Sequence, residues 1–178
     1  MKTFRNWTRQ ELADEFDLKK KRECQILNDW LNFEVEVSDF DKQFLEKLRL
    51  NLEDAVDIWN EQELIIKFIA PLITSINYDT HLFKSFANRP LKGFIKDIET
   101  NGEVDFMIAS GDFEPKSPYF CLHEYKKEKN IDNDPLGQLL VAMMTAQSIN
   151  KNEFPVYGAY ITGRNWIFLD SDWNGLLY

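Results

Sequence analysis

The sequence predicts an α/β fold, an α+β sandwich in which helices flank a mixed central sheet and a helical extension precedes it. Three observations predict this class. Helix signals dominate the first 60 residues, strand-like segments follow from residue 80 to residue 127, and one more helix separates them from a final hairpin. We place the division at residue 59, with 1–59 as an N-terminal helical extension and 60–178 as the core. The 178 residues, 44% of them hydrophobic, suffice for one such core.

Helix start signals recur along the first part of the chain. Thr8–Glu11 has the pattern of a capping box before a short helix, and 18–31 is a second, charge-rich candidate. Ser38 opens a longer helix with a regular apolar stripe. Asn60 begins the next helix, and Pro71 should kink or end it because proline has no backbone N–H.

The second half of the chain changes to strand patterns. The dipeptide Asn101-Gly102 is typical of a two-residue hairpin turn. Asp134 and Pro135 supply an N-cap and a first-turn proline for a helix that continues to about Ile149. The predicted strands are 80–86, 91–98, 103–109 and 119–127, followed after that helix by a hairpin of 156–162 and 166–170.

Charge and composition exclude several function classes. The formal net charge of −9 argues against non-specific binding of nucleic acid through the whole surface. No apolar run is long enough for a membrane span, and the first residues lack the apolar stretch of a signal peptide. Cys24 and Cys121 show neither metal-ligand spacing nor a disulfide framework. We therefore expect a cytoplasmic protein without a membrane partner.

Two short apolar segments carry charged side chains where a buried strand normally has aliphatic ones. They are 103–109 and 120–126. The strand period of two puts Glu124 and Lys126 on one face of the second segment and His123 on the other, and Asp105 comes close to Glu124 if the segments pair. Two carboxylates about 4 Å apart repel by roughly 1 kcal/mol in water and roughly 4 kcal/mol in a partly buried site, so a cation or the lysine must offset the repulsion. Such hard oxygen ligands suit Mg²⁺ or Mn²⁺.

This constellation resembles the PD-(D/E)XK nuclease superfamily over about residues 60–170. In that family the site combines an acidic residue on the helix before the sheet, an Asp on the second strand and a Glu-x-Lys on the third. Some branches add a glutamine on the following helix. The resemblance implies a restriction-endonuclease-like core with the catalytic residues Glu63, Asp105, Glu124, Lys126 and Gln138. It also implies a Mg²⁺ or Mn²⁺ cofactor held by Asp105, Glu124, the backbone carbonyl of Tyr125, and Glu63. The chain departs from the family pattern at Val104, where proline is frequent.

The activity that the resemblance implies is hydrolysis of phosphodiester bonds, in DNA in the first place, with a role in defence or repair. The alternative is a catalytically degenerate module of the same fold that binds a protein or nucleic-acid partner. An acyl or phosphoryl transferase has little support, because the chain has no Gly-rich phosphate loop and no nucleophile elbow.

Several of these residues have a purely structural alternative. The tripeptide Glu114-Pro-Lys116 repeats the Glu-x-Lys pattern inside a cluster of turn formers, so the tripeptide alone is not specific. Asn60 and Glu63 also match a capping box, in which Glu63 would only accept a backbone N–H. Gln138 is either a phosphate ligand or an exposed residue of its helix.

The basic residues that we assign to nucleic-acid binding are Lys84, Arg89, Lys92 and Lys127. The first three lie in 80–96, a stretch without acidic residues, and the fourth directly follows the Glu-x-Lys tripeptide. The alternative is an ordinary solvated face of basic side chains. The partners implied are DNA and, for cleavage of both strands, a second copy of the chain in a homodimer.

Overall fold

The structure, a computed structural model, describes residues 2–20, 25–129, 131, 133–172 and 175–177. In this part of the chain helices flank a mixed sheet of seven strands, which makes the protein an α/β protein. The helices are α1 (Arg9–Phe16), α2 (Gln25–Leu31), α3 (Asp39–Ala55), α4 (Glu61–Leu64), α5 (Ala70–Thr74) and α6 (Pro135–Ile149). The strands are β1 (Lys2–Thr3), β2 (Lys84–Ile95), β3 (Ile98–Ser110), β4 (Lys116–Lys126), β5 (Val156–Thr162), β6 (Asn165–Asp172) and β7 (Gly175–Leu177).

The sheet is organised around the long strand β3. Strand β2 pairs antiparallel with β3 along nearly its whole length. On the other edge of β3, β1 pairs in parallel with residues 100–101 and β4 pairs antiparallel from Phe106 onward. Strand β5 continues the sheet in parallel to β4, and β6 and β7 follow antiparallel. The edge of β3 between its contacts with β1 and β4 is where the predicted site residue Asp105 lies.

Each face of the sheet has its own hydrophobic core. Helix α6 covers one face, where Met107 and Leu122 of the sheet are fully buried with Leu140 of the helix. Helices α3, α4 and α5 cover the other face, where Phe106 and Tyr125 pack with residues such as Leu52. The alternation of β4 between the two cores confirms the predicted strand period.

The first residues of the predicted N-terminal extension pack against the core. Phe4, Trp7 and Leu12 belong to the same core as α6, and β1 is a strand of the main sheet. The carboxylate of Asp134 at the start of α6 accepts hydrogen bonds from the backbone N–H and from Nε of Arg9. The apolar side chains of these first residues cover surface of α6 that would otherwise face water.

Two predicted strand boundaries were wrong, the hairpin turn at Asn101-Gly102 and the break between residues 86 and 91. The hairpin turn between β2 and β3 lies at Lys96-Asp97, where Lys96 has a φ of 52°, and Asn101-Gly102 lies inside β3. Gly102 is required there for packing, because a Cβ atom at this position would collide with the ring of Phe4. The break predicted between residues 86 and 91 is a single left-handed residue, Asn88 with a φ of 50°, within the continuous strand β2.

The helix predictions were more accurate. The side chain of Ser38 caps α3 by accepting the N–H of Asp41, as predicted. Pro71 does not end the helical segment. A π turn over Ile65–Ile69 precedes it, and α5 continues from Ala70 to Thr74. The predicted helix 18–31 is confirmed only as α2 from Gln25. Residues 18–20 are not helical, and residues 21–24 lie outside the described residues.

Helix α6 begins as predicted, with the Asp134 side chain accepting the N–H of Gly137 and Pro135 in the first turn. It is buried on most of its surface, because the sheet covers one side and the segment from Phe4 to Leu12 contacts the other. Its strongly apolar sequence follows from this double burial. Neither α6 nor any other helix in the described residues has the length and hydropathy that a membrane crossing requires.

Candidate active site

A cleft of about 750 Å³ opens at the edge of the sheet and contains four of the five predicted catalytic residues. Asp105, Glu124 and Lys126 line it from β3 and β4, and Gln138 lines it from α6. The start of α4 and the segment Thr3–Arg5 form further walls. The structure thus brings together residues that are up to 135 positions apart in the sequence, Thr3 and Gln138.

Asp105 reaches the cleft because β3 and β4 separate just before it. The last paired residues are Phe106 and His123, and beyond them the carboxylate of Asp105 accepts the N–H of Tyr125 at 2.7 Å from Oδ2. The side chain therefore replaces the backbone carbonyl that a continuing ladder would offer to this N–H. This arrangement confirms the prediction that Asp105 lies beside the strand of Glu124.

The side chains of Glu124 and Lys126 contact each other in the cleft. The ammonium of Lys126 lies 2.6 Å from Oε1 of Glu124, and the side chains are 19% and 4% exposed respectively. The same ammonium donates a hydrogen bond of 2.8 Å to the carbonyl oxygen of Tyr125 and lies 3.4 Å from Oε2 of Glu61. A single lysine therefore contacts two of the four groups that the sequence assigned to a metal ion, the Glu124 carboxyl and the Tyr125 carbonyl.

Burial makes the two central carboxyl groups poor anions in the absence of a cation. Burial, together with the neighbouring Asp105 carboxylate, raises the pKa of Glu124 to about 8. Burial also raises the pKa of Asp105 above its ordinary value, against the hydrogen bond from Tyr125. For Lys126 burial alone would lower the pKa, but the carboxylates of Glu124 and Asp105 outweigh burial and the pKa is raised. Perturbed pKa values of this kind, gathered in a cleft, are typical of functional sites.

The opposite face of β4 carries no part of the cleft. Nδ1 of His123 lies 3.0 Å from the hydroxyl of Tyr125, and the imidazole packs against Phe106. Burial lowers the pKa of His123 to about 4, so this side chain is neutral at pH 7. The prediction that His123 faces away from Glu124 is confirmed.

Glu63 is not in the cleft, and Glu61 takes the place predicted for it. The carboxylate of Glu63 accepts the N–H of Asn60 in a capping box and forms an ion pair of 2.9 Å with Lys67. Glu61 instead lines the cleft beside Lys126. The capping-box pattern was the signal for this correction, because it commits the third residue of the helix to the helix start and leaves the first residue free.

The remaining predicted residues separate into two groups. Gln138 lines the cleft, so its placement agrees with the prediction. The second tripeptide lies elsewhere, with the Glu114 side chain 68% exposed and 3.8 Å from Arg89. Sequence context therefore selected the Glu-x-Lys tripeptide that lines the cleft.

Three of the four predicted nucleic-acid-binding residues do not reach the cleft. Lys84, Arg89 and Lys92 are distributed along β2, where Lys84 pairs with Ala109 and Lys92 pairs with Asn101. Lys92 forms an ion pair of 2.7 Å with Glu99. Only Lys127 lines the cleft. Lys84 and Lys92 are separated along the strand by roughly 26 Å, so these side chains do not converge on one phosphate.

The donor atoms of the cleft suit a hard divalent cation. Asp105 and Glu124 supply carboxylate oxygens, and the Tyr125 carbonyl is a third oxygen donor beside them. In the described residues no group of three or more His, Cys, Asp or Glu side chains is arranged to hold a metal by itself. An ion there would take the rest of its ligands from water and substrate, which is the usual situation for Mg²⁺.

The cleft therefore combines carboxyl groups of α4, β3 and β4 with Lys126 of β4 and Gln138 of α6. This set of donors could hold a divalent cation beside an anionic ligand. Comparison of the chain with protein-family models, with curated proteins and with solved structures gave no match.

Proposed function

We propose that this protein is a Mg²⁺- or Mn²⁺-dependent nuclease that hydrolyses phosphodiester bonds, with DNA as its preferred substrate, and that its core is restriction-endonuclease-like. One observation carries the proposal. Glu124 is a buried carboxyl group on a central strand, with Lys126 on the same face and Asp105 on the neighbouring strand, and all three line one cleft. Burying such a group costs stability, and a catalytic role explains why the cost is tolerated.

The residues of the cleft have separate parts in the proposed reaction. Asp105, Glu124 and the Tyr125 carbonyl would hold the cation, which supplies Lewis-acid activation of a phosphodiester and of water. Lys126 then donates a hydrogen bond to the attacking water or to a phosphate oxygen that gains charge in the transition state. Glu61 replaces Glu63 as the acidic residue from the helix before the sheet. Gln138 donates to a phosphate oxygen from the opposite wall.

The first test is metal-dependent cleavage. We expect the purified protein to cleave DNA with Mg²⁺ or Mn²⁺, to lose this activity in EDTA, and to regain it when the metal is restored. Asp105→Asn should reduce the cleavage rate by about 100-fold or more, because a cation ligand is lost. Asp112→Asn, in the turn after β3, is the matched control and should cleave like the unchanged protein. Absence of cleavage of both DNA and RNA with either metal would contradict the proposal, and absence of Mn²⁺ binding in calorimetry would favour the non-catalytic module.

A pair of substitutions separates the two glutamates of α4. Glu61→Gln should lower the cleavage rate roughly tenfold at unchanged melting temperature, because Glu61 contacts Lys126 inside the cleft. Glu63→Gln should leave the rate unchanged and destabilise the protein by up to about 1 kcal/mol, because it weakens the capping box and the ion pair with Lys67. Rate assays and thermal melts of both variants test this. The reverse pattern would return the catalytic role to Glu63.

A further inference from the structure

We infer that Arg5 and Lys127 form a phosphate-binding subsite on the rim of the cleft, which holds the phosphates that flank the scissile one in a single nucleic-acid strand. This inference rests on the proposed function and adds to it. Its first support is position, because both residues line the same cleft as Asp105 and Glu124. Arg5 lies in a segment with no functional signature in the sequence, and Lys127 directly follows the lysine of the central ion pair.

Arg5 is held at the cleft by its neighbours. Phe4 before it is 1% exposed and Trp7 after it is 5% exposed, and both side chains pack in the core with α6. Directly before them, β1 pairs with β3. Gly102 of β3 gives Phe4 the space that it needs. The backbone of Arg5 is therefore fixed by packing on both sides, while its side chain is exposed.

Both cations are available to a ligand. Within the described residues, neither Arg5 nor Lys127 forms an ion pair or a side-chain hydrogen bond, whereas the basic residues Arg9, Lys92 and Arg164 all do. Without Arg5 and Lys127, the acidic side chains of the cleft would repel an approaching polyanion. These side chains are Glu61, Glu103, Asp105 and Glu124. An arginine offers several N–H donors in a planar fork, which matches two oxygens of one phosphate.

The small number of cations indicates the class of substrate. Surfaces that bind duplex DNA tightly commonly make about six or more phosphate contacts. The rim offers two, and the basic residues of β2 lie away from the cleft. A single strand that enters the cleft past Arg5 and Lys127 presents one phosphate backbone to these two cations. We therefore assign the subsite to single-stranded segments.

The test measures binding separately from cleavage. Binding of a fluorescent single-stranded DNA of 12 nucleotides is measured by anisotropy with protein that carries Asp105→Asn, so that the strand is not cleaved. Cleavage kinetics on the same strand are measured with protein that retains Asp105. We expect Arg5→Ala and Lys127→Ala each to weaken binding and to raise KM by roughly tenfold, with kcat within about twofold. Each should also reduce the slope of log K against log salt by about 0.7, the value for one phosphate contact of a single strand. Lys47→Ala, an exposed basic residue of α3 outside the cleft, is the matched control and should change none of these quantities.

The outcomes distinguish the two proposals. If the protein cleaves DNA but Arg5→Ala binds and cleaves like the Lys47→Ala control, the subsite is overturned and the nuclease proposal stands. If the strand binds with the expected salt slope and nothing is cleaved, the nuclease proposal fails and the subsite stands. A total slope steeper than about −4, or duplex DNA that binds more tightly than the single strand, would show a larger binding surface and would also overturn the subsite.

Discussion

Replacement of Lys126 by alanine is expected to lower kcat for DNA cleavage by about 100- to 1,000-fold, while the protein remains folded. Lys126 is the lysine whose ammonium contacts both Glu124 and the Tyr125 carbonyl, at 2.6 Å and 2.8 Å. Removing it takes away the proton donor nearest to the place where a phosphate oxygen would gain charge. The fold should survive because Glu124, whose pKa is already about 8, stays protonated near pH 7 when its partner is lost.

The chain contains its own control for this substitution. Lys116→Ala changes the lysine of the second Glu-x-Lys tripeptide, which lies outside the cleft, and kcat should stay within about twofold. Single-turnover cleavage at saturating metal, with circular dichroism melts of both variants, gives the comparison. Equal rates for Lys126→Ala and the unchanged protein would remove Lys126 from the mechanism, and an equal loss in both variants would show that the motif copies are not distinguished by their position.

Replacement of Glu124 by glutamine is expected to abolish activity and to stabilise the fold above about pH 6. The folded protein holds a proton on Glu124 up to a pKa of about 8, whereas the unfolded chain releases it near the ordinary value of 4.5. Between these two values the folded state binds more protons than the unfolded state, so the free energy of unfolding falls as the pH rises. Burial raises the pKa of Asp105 as well, which acts in the same direction.

The size of the loss in the free energy of unfolding follows from the raised pKa of Glu124. One unit of pKa corresponds to about 1.4 kcal/mol, so the unchanged protein should lose on the order of a few kcal/mol between pH 5 and pH 8, and its melting temperature should fall by several degrees. Glu124→Gln should lose much less over the same range. Glu114→Gln, an exposed glutamate, should follow the unchanged protein. Identical pH profiles for all three proteins would contradict the effect of burial on Glu124.

Metal ions should offset this loss of stability at higher pH. A cation competes with the proton for the same carboxylates and binds only the folded site, so Mg²⁺ should raise the melting temperature more at pH 8 than at pH 6. The increase should be absent in Glu124→Gln. Thermal melts at two pH values, with and without excess Mg²⁺, give the result for both proteins, and an equal increase in the variant would place the ion elsewhere.

The sequence predicted the part of the site that depends on local periodicity. In β4 the alternation of apolar and charged residues placed Glu124 and Lys126 on one face and His123 on the other, and the side chains lie there. The turn formers around Glu114-Pro-Lys116 are also a local signal, and they placed the second tripeptide in a loop instead of a buried strand. The starts of α3 and α6 could be predicted because they depend on hydrogen bonds between residues close in sequence. In α6 the N–H of Gly137 donates to the Asp134 side chain.

The parts that depend on distant packing could not be predicted. Asn101-Gly102 has the sequence of a turn, but the glycine is needed because Phe4, far away in the chain, packs on it. Arg5 had no signal, because its place on the cleft comes from the pairing of β1 with β3. Glu61 and Glu63 differ by two helix positions, and only the capping box separates their roles.

The hydrogen bond from the Tyr125 amide to Asp105 limits which ions suit the cleft. Oδ2 is committed to that amide at 2.7 Å, and Oδ1 has no hydrogen-bond partner in the described part of the chain. Oδ1 is therefore the oxygen of Asp105 with all of its acceptor sites open to a ligand, whereas Oδ2 already uses one. A calcium ion commonly needs six to eight oxygens, often with a carboxylate bound through both, whereas a magnesium ion retains several waters in a strict octahedron. In the proposed site this hydrogen bond would favour magnesium over calcium, because it occupies part of one carboxylate that a calcium ion would bind through both oxygens.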